Sequence, residues 1–140
     1  MPAMSTPTLA PSDQYIADYD AILKAMDFYI SGLRAGNGET MSQGFLPNAA
    51  GAGYFQGSFV SGSMQQVFDL VTQNGPAPDL TTRFASVDVL GTIAVVRLEV
   101  NGWSGNVAGL AGLRMSDVFT LAKADAGWKI AFKGWHFHST

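Results

Sequence analysis

Residues 113–138 read LRMSDVFTLAKADAGWKIAFKGWHFH, and this stretch decides the fold. Two runs of alternating residues flank a turn at residues 124–127, which is the pattern of a β-hairpin. Successive side chains of a strand point to opposite faces, so Asp117 shares a face with apolar neighbours on the first strand. The lysines at positions 129 and 133 mark the wetter face of the second strand. Its other face is therefore predicted to look inward.

These inward faces set the register of the hairpin, because directly opposed antiparallel residues lie on the same face. The predicted pairs are Leu121 with Ile130, Phe119 with Phe132, Asp117 with Gly134, and Met115 with His136. In this register, Asp117 and His136 are diagonal neighbours on an apolar face. The sequence thus predicts a carboxylate and an imidazole inside the domain.

The composition limits the class of protein. A chain of 140 residues is long enough to bury the core of a single domain. A net charge of -3 argues against nucleic acid and anionic membranes as partners, since both attract basic surfaces. The absence of cysteine excludes disulfides and thiolate chemistry. With no recognisable signal peptide or spanning segment, a cytoplasmic location is the expectation.

The first half of the chain reads as mostly helical. Residues 1–12 are proline-rich and are predicted to form a disordered leader, followed by a single domain over residues 13–140. Apolar residues then recur at three- and four-residue steps, which predicts a long amphipathic helix that ends at Gly36. A short helix is predicted over residues 37–43, and a second long helix over residues 63–74.

Between these helices lie residues 47–53, which are small and glycine-rich, and residues 54–60, which are predicted to form short strands or an aromatic loop. A second hairpin is predicted around Gly91. Its inward pairs are Val89 with Ala94, Val87 with Val96, Ala85 with Leu98, and Arg83 with Val100. Helices followed by two hairpins predict an α+β domain, in which helices pack on a curved antiparallel sheet.

The segments DYDAILKAMDFYISGLRAGN (residues 18–37), FLPNAA (45–50) and SDVFTLAKADAGWKIAFKGWHF (116–137) carry a family resemblance. The chain resembles the nuclear transport factor 2-like, or cystatin-like, superfamily over residues 13–138. Within it, the resemblance is to the branch labelled putative lumazine-binding, which is related to SnoaL-like polyketide cyclases. It implies a cone-shaped sheet with a central pocket, commonly dimeric through the outer sheet face. It implies no particular reaction, because this fold hosts dehydratases, isomerases, cyclases and non-catalytic binders.

Asp117 and His136 are the candidate catalytic pair. A carboxylate that orients an imidazole is the usual arrangement of a general base. In the enzymes of the superfamily, acid–base residues do lie on the inner sheet face. The alternative is structural: Asp117 accepts hydrogen bonds from backbone groups, and His136 lies partly exposed at the end of the sheet.

Several other side chains are candidates for contact with a ligand in the pocket. Tyrosine hydroxyls on the first helix are candidates, Tyr29 among them, as are an arginine for an anionic group and a tryptophan that stacks on a flat heterocycle. The predicted ligand-binding residues are Tyr15, Tyr19, Tyr54, Phe59, Phe68, Arg83, Trp103 and Phe119. No cofactor is predicted, and no metal site, since the histidines at positions 136 and 138 lack cysteine support.

A homodimer is predicted through the outer sheet face, using Val118, Trp135 and Phe137. Three functions stay open. The first is a small-molecule binder with no chemistry, and the second is an acid–base enzyme of the dehydratase, isomerase or cyclase type that acts on a cyclic or polyketide-like substrate. The third is a structural dimer whose pocket is filled by aromatic side chains.

Overall fold

The computed structural model describes residues 11–106 and 112–138. Within them the helices are α1 (Pro11–Ala35), α2 (Gly38–Ser42) and α3 (Gln65–Asn74). The strands there are β1 (Phe45–Phe55), β2 (Ser58–Ser63), β3 (Thr81–Leu90), β4 (Ile93–Trp103), β5 (Leu113–Ala124) and β6 (Gly127–His138). They form one curved, unclosed sheet in the order β2-β1-β6-β5-β4-β3. The predicted α+β class is confirmed, although the sheet is mixed, because β1 runs parallel to β6.

The long helix α1 supplies much of the core. Its apolar stripe includes Ile22, Met26 and Leu33, which are all buried against the sheet side of the domain. Removing such a side chain from water contributes about 1.5–3 kcal/mol to folding. The helix ends as predicted, because Gly36 has a φ of 67° and adopts the left-handed conformation without a Cβ penalty.

The start of α1 differs from the prediction. The helix begins at Pro11, within the segment predicted as a disordered leader over residues 1–12. The rest of that segment lies outside the described residues. Of the helices that the structure describes, none has the length and apolar character needed to cross a membrane.

The glycine-rich segment at residues 47–53 forms part of a long strand, β1, which the sequence analysis did not predict. Its glycines make room for an indole. A Cβ on Gly53 would come within 2.5 Å of Trp135 Nε1, and a Cβ on Gly51 within 3.0 Å of Trp135 Cζ3. Glycine is unfavourable in an isolated strand, but here it allows the side chain of the neighbouring strand to lie flat on the backbone.

The terminal hairpin of β5 and β6 follows the predicted register only near its turn. Leu121 pairs with Ile130 as predicted, but the next pair is Thr120 with Phe132. Ala131 is therefore an extra residue on β6, which is a β-bulge. A one-residue shift of this kind exchanges the inward and outward sets of side chains beyond it.

The bulge changes which residues of β6 face the helices. Asp117 lies opposite Trp135 and not opposite Gly134, so the predicted pairing is wrong beyond the bulge. Lys133 is only 4% exposed and its Nζ lies 5.1 Å from the ring centroid of Tyr29, on α1. His136 is exposed on the outer face. The predicted pair of Asp117 and His136 does not form, because the two side chains lie on opposite faces of the sheet.

The hairpin of β3 and β4 contains a second bulge. Near its turn, Val89 pairs with Ala94 and Val87 with Val96, which confirms the prediction. Ala85 is then an extra residue on β3, because Phe84 and not Ala85 lies opposite Leu98. The predicted pairs fail from this point toward the start of β3.

Arg83 is displaced by this second bulge. It lies opposite Glu99, where the prediction placed it opposite Val100 on the inward face. The inward position opposite Val100 belongs to Thr82. Arg83 is exposed, so the prediction that it faces the pocket is wrong.

Candidate functional site

Three ionisable side chains meet inside the domain, where the packed face of α1 crosses β5 and β6. The hydroxyl of Tyr29 donates a 2.7 Å hydrogen bond to Asp117 Oδ2. On the other side of the carboxylate, Lys133 Nζ lies 3.7 Å from Asp117 Oδ1. Tyr29, Asp117 and Lys133 are 1%, 0% and 4% exposed. We call them the buried trio.

Each member of the buried trio is placed by its own element. Tyr29 belongs to the apolar stripe of α1, and its ring packs edge-on against Phe119 at a centroid distance of 4.8 Å. Asp117 lies in the middle of β5, opposite Leu98 of β4. Lys133 comes from β6 and faces inward because of the bulge at Ala131. A distant helix, α1, and the neighbouring strand of the same hairpin, β6, therefore both bring a polar group to the Asp117 carboxylate.

Burial sets the electrostatics of the buried trio. Loss of water raises the pKa of Asp117, although Lys133 and the Tyr29 hydroxyl both act to lower it. The same loss lowers the pKa of Lys133 against the attraction of Asp117. Burial, together with the negative charge of Asp117, raises the pKa of Tyr29 well above its usual value. The carboxyl and amino groups are thus both shifted toward their uncharged forms.

The two oxygens of Asp117 are not equivalent. Oδ2 accepts the Tyr29 hydrogen bond, whereas Oδ1 is buried without a hydrogen bond from any described residue. The 3.7 Å that separates Oδ1 from Lys133 Nζ is longer than a hydrogen bond. A buried oxygen left in this state costs free energy. The arrangement is therefore poorly optimised for stability, which is common where side chains serve a ligand.

A cavity of about 200 Å³ lies beside the buried trio, between α3 and the sheet. Aromatic and aliphatic side chains make most of its wall. The main wall residues are Phe55, Leu70, Trp103, Met115, Trp135 and Phe137. Lys133 also lines the cavity, and of the described residues that line it, Lys133 is the only one that carries an ionisable group.

The aromatic wall of the cavity is ordered by ring contacts. The rings of Trp103 and Phe137 stack at 6.3 Å with an interplanar angle of 15°. Trp135 donates its indole N–H to the backbone oxygen of Tyr54 at 3.0 Å, which fixes the plane of its ring. Lys133 Nζ lies 5.1 Å from the centroid of the Trp135 ring, in cation–π range. These flat surfaces suit a flat ligand.

A second polar group of the wall lacks a partner. The indole Nε1 of Trp103 is buried, and it has no hydrogen-bond partner among the described residues. A buried N–H of this kind is costly unless something accepts its hydrogen bond. Because this atom has almost no accessible surface, it does not reach the cavity. Lys133 does line the cavity and gives it a hydrogen-bond donor, which favours a ligand that carries acceptors.

The predicted ligand contacts are scattered. Trp103 lines the cavity. Phe68 and Phe119 are core residues. Four others are wholly or half exposed and are not cavity-wall residues: Tyr15, Tyr19, Tyr54 and Phe59. Arg83 lies on the outer face, as does His136.

Two groups of the site were missed or misassigned from the sequence. Lys133 was interpreted as a marker of the solvent-facing side, and Tyr29 was only one of several candidate hydroxyls. The sequence did contain a signal, because the predicted wet face of β6 also held Trp135 and Phe137. Two large aromatic residues beside one lysine are typical of a buried face. Trp135 and Phe137, predicted at the dimer interface, line the cavity instead.

A metal centre has no support in the described part of the chain. No cluster of three or more histidine, aspartate or glutamate side chains there is arranged to hold a metal ion.

Comparison with known proteins supplies the family. Residues 17–136 match the family described as putative lumazine-binding. An NTF2-like protein of unknown function from Methylobacillus flagellatus KT is 28% identical, with a TM-score of 0.79 over 94% of this chain and 97% of that one. A second, from Shewanella baltica OS155, is 25% identical, with a TM-score of 0.80 over 90% and 98%.

The aldolase FrzH of Cladobotryum sp is 24% identical over 120 residues, which are 86% of this chain and 91% of that protein. The family match covers most of the chain and includes all three members of the buried trio. The fold of the solved relatives agrees with the cone-shaped sheet seen here. The chain therefore belongs to the putative lumazine-binding family of the nuclear transport factor 2-like superfamily.

Proposed function

We propose that this protein binds a small, flat, largely apolar molecule that carries oxygen acceptors, in the cavity beside Lys133. The observation that carries the proposal is the position of this lysine. A buried ammonium or amino group in an aromatic cavity costs stability unless a ligand or a counter-charge compensates it. Asp117 supplies only part of that compensation, because its nearer oxygen lies 3.7 Å away.

The cavity wall supports this class of ligand. Small-molecule sites are typically apolar clefts in which a few polar groups fix orientation. Here Trp103, Trp135 and Phe137 offer flat apolar surfaces, while Lys133 offers a donor. Lumazine, named in the description of the family, is a flat bicyclic heterocycle with two carbonyl oxygens, so it meets the requirements of flatness and acceptors while being more polar than the cavity wall. It is therefore the first ligand to test.

The test is a fluorescence titration of the full chain with lumazine. Bound lumazine should quench the tryptophan emission with a saturable curve, because Trp103 and Trp135 line the cavity. Lys133→Met should weaken binding about tenfold, which corresponds to ~1.4 kcal/mol. His136→Ala is the matched control, since this residue is exposed on the outer face and should leave the affinity unchanged.

If Lys133→Met and His136→Ala weaken lumazine binding equally, the ligand binds outside the cavity beside Lys133. Quenching that never saturates would show collisional contact and not a site. If lumazine fails to bind while other flat acceptors bind and depend on Lys133, the class of ligand stands and the identity of the ligand changes.

A second candidate function is acid–base catalysis on the bound molecule. The observation that favours it is the opposite displacement of two pKa values within the buried trio, where the pKa of Asp117 is raised and that of Lys133 is lowered. Such pairs are candidates for proton transfer near neutral pH. A relative that is an aldolase agrees with chemistry of this kind. The acid–base pair would then be Asp117 and Lys133, since His136 lies on the other face of the sheet.

We also propose that two copies associate through the outer sheet face. Val118 is 44% exposed there, and Phe132 and Ile93 are each 41% exposed on neighbouring strands. Apolar residues grouped on one sheet face are typical of a contact surface. This surface differs from the predicted one in two positions, because Trp135 and Phe137 face the cavity.

A further inference from the structure

We infer that Lys133 is a nucleophilic amine that forms an imine with an aldehyde or ketone bound in the cavity. The inference rests on the proposed function, because it requires a ligand in that cavity, and it adds the reactive group that the ligand must carry. Three features of the structure support it: the surroundings of the amine, the space beside it, and the acid next to it.

The surroundings of the amine favour its reactive form. Only an unprotonated amine can attack a carbonyl carbon, and ordinary lysines are almost wholly protonated at neutral pH. Lys133 is buried among apolar and aromatic side chains, and this burial lowers its pKa. Lysines desolvated in this way are the ones that proteins use in imine chemistry.

The cavity leaves space for a carbonyl compound. Lys133 lines a volume of about 200 Å³ whose remaining wall is largely aromatic and aliphatic. A small ring with an aldehyde or ketone substituent fits such a volume with its apolar part on the wall.

The acid beside the amine can move the protons that the reaction requires. Asp117 Oδ1 lies 3.7 Å from Lys133 Nζ and accepts no hydrogen bond from a described residue. Its pKa is raised, chiefly by burial, so the group can hold a proton as well as release one. Tyr29 donates to the other oxygen and keeps the carboxyl group in place.

The reaction balances without an oxidant or a reductant. The lone pair of Lys133 Nζ forms a bond to the carbonyl carbon, and the π pair of the carbonyl moves to its oxygen, which takes the proton of the Asp117 carboxyl group. A proton on nitrogen returns to the carboxylate. The resulting hydroxyl group takes the proton of the Asp117 carboxyl group and leaves as water while nitrogen forms the C=N bond, and the last proton on nitrogen then returns to the Asp117 carboxylate. The carbonyl compound and the amine thus give the imine and one water.

The test uses 2-naphthaldehyde as the reactive probe and 2-naphthalenemethanol as its unreactive match. The full chain is incubated with limiting aldehyde and sodium cyanoborohydride, which reduces an imine to a stable amine, and the adduct is mapped by peptide mass spectrometry. Burial lowers the pKa of Lys133 and so enlarges its free-amine fraction, and an aldehyde bound in the cavity lies beside this amine. We therefore expect Lys133 to be labelled about tenfold faster than the remaining lysines, Lys24, Lys123 and Lys129.

Two variants sharpen the result. Lys133→Met should abolish the fast label and, as for lumazine, weaken binding of the alcohol about tenfold in the tryptophan-quenching titration. Asp117→Asn should slow labelling about tenfold or more, because a positioned acid–base group is lost, and should change the affinity for the alcohol little. The mapping of the wild-type chain decides the question even if either variant fails to fold.

The outcomes separate the two proposals. Binding of the alcohol together with fast labelling of Lys133 supports both. Binding of the alcohol with labels spread over the exposed lysines overturns the imine and leaves the proposed ligand site standing. Absence of both binding and selective labelling counts against the cavity as a ligand site, and the imine falls with it.

Discussion

The hydroxyl of Tyr29 donates a 2.7 Å hydrogen bond to Asp117 Oδ2 and thereby joins α1 to the centre of β5 across 88 positions of sequence. Both side chains are buried, so neither can exchange this partner for water. The bond orients the carboxylate and leaves Oδ1 on the side of Lys133. The contact that supports the fold thus also positions the groups of the candidate site.

Tyr29→Phe should lower the free energy of unfolding by about 1–3 kcal/mol, because it removes the hydrogen bond to a buried carboxylate and leaves that group less satisfied. Urea unfolding followed by circular dichroism measures the change. Tyr54→Phe is the matched control, since Tyr54 is 64% exposed and should change stability little. Equal stability of Tyr29→Phe and wild type would show that water replaces the hydroxyl.

A double-mutant cycle should reveal coupling between Asp117 and Lys133. Lys133→Met alone leaves the buried carboxylate without its cation and should cost about 3 kcal/mol or more. The double variant with Asp117→Asn removes both charges and keeps an acceptor for Tyr29. It should therefore be more stable than the sum of the single effects predicts, with a coupling energy of about 1–3 kcal/mol in urea unfolding. Additive effects would mean that the two groups do not interact.

The sequence predicts the elements of this fold better than it predicts the faces of its strands. The stripe of α1, its end at Gly36 and the two hairpins depend on local periodicity, and they are confirmed. Which side chains of β6 face the helices depends on a single extra residue, Ala131. No local rule distinguishes a bulged alanine from an alanine in a regular strand, because the curvature of the whole sheet determines where the bulge lies.

The same limit applies to the candidate site. Asp117 was predicted on the inward face from β5 alone, and it lies there. The partners of Asp117 on β6 were predicted from the register of the hairpin. Because that register omits the bulge at Ala131, the prediction placed His136 near Asp117, where the structure has Lys133. Strand β1 was missed for a different reason. Its glycines are unfavourable for a strand locally, and only the indole of Trp135 from the neighbouring strand accounts for them.

Asp18 should make the stability of the protein sensitive to acid. Burial tends to raise its pKa, but hydrogen bonds from Lys123, Trp128 and Gln14 outweigh burial and hold the pKa below 3.8. Its stabilising contribution is therefore complete above pH 3.8 and is lost as the pH falls through the folded-state pKa.

The variant Asp18→Asn tests this dependence. It should be less stable than wild type at about pH 7, and the difference should be smaller at about pH 2.5, because the stabilisation by Asp18 is lost as the pH falls below 3.8 through the folded-state pKa. Thermal unfolding at the two pH values measures the effect. Asp20→Asn, on the exposed side of the same helix, is the control. A difference that is the same at both pH values would show that Asp18 acts through packing and not through its charge.

Val118→Glu should convert the proposed dimer into monomers without unfolding the chain. The side chain is 44% exposed on the outer face, so a carboxylate there is solvated in a monomer and buried beside apolar groups in a dimer. Sedimentation velocity at micromolar concentration gives the mass. Ile16→Glu is the matched control, because Ile16 is 58% exposed but lies on α1 and not on the outer sheet face. A wild-type chain that sediments as a monomer would refute the proposed dimer.

Gly53→Ala should displace Trp135 and reshape the cavity. A Cβ at this position would lie 2.5 Å from Trp135 Nε1, closer than any van der Waals contact. The φ angle of Gly53 is not in the left-handed region, so the cost is steric alone. Forcing a group into packed surroundings costs about 1–3 kcal/mol. The indole must turn away and give up its hydrogen bond to the backbone oxygen of Tyr54.

The tryptophan emission spectrum and the lumazine titration should both report this displacement. We expect a shifted emission maximum and an affinity weakened about tenfold, which corresponds to ~1.4 kcal/mol. Gly134→Ala is the matched control on the neighbouring strand, because its added Cβ would meet Phe132 Cε1 at 3.6 Å, an ordinary contact. If Gly53→Ala leaves both the spectrum and the affinity as they are in Gly134→Ala, the Trp135 ring is not a wall of the binding site.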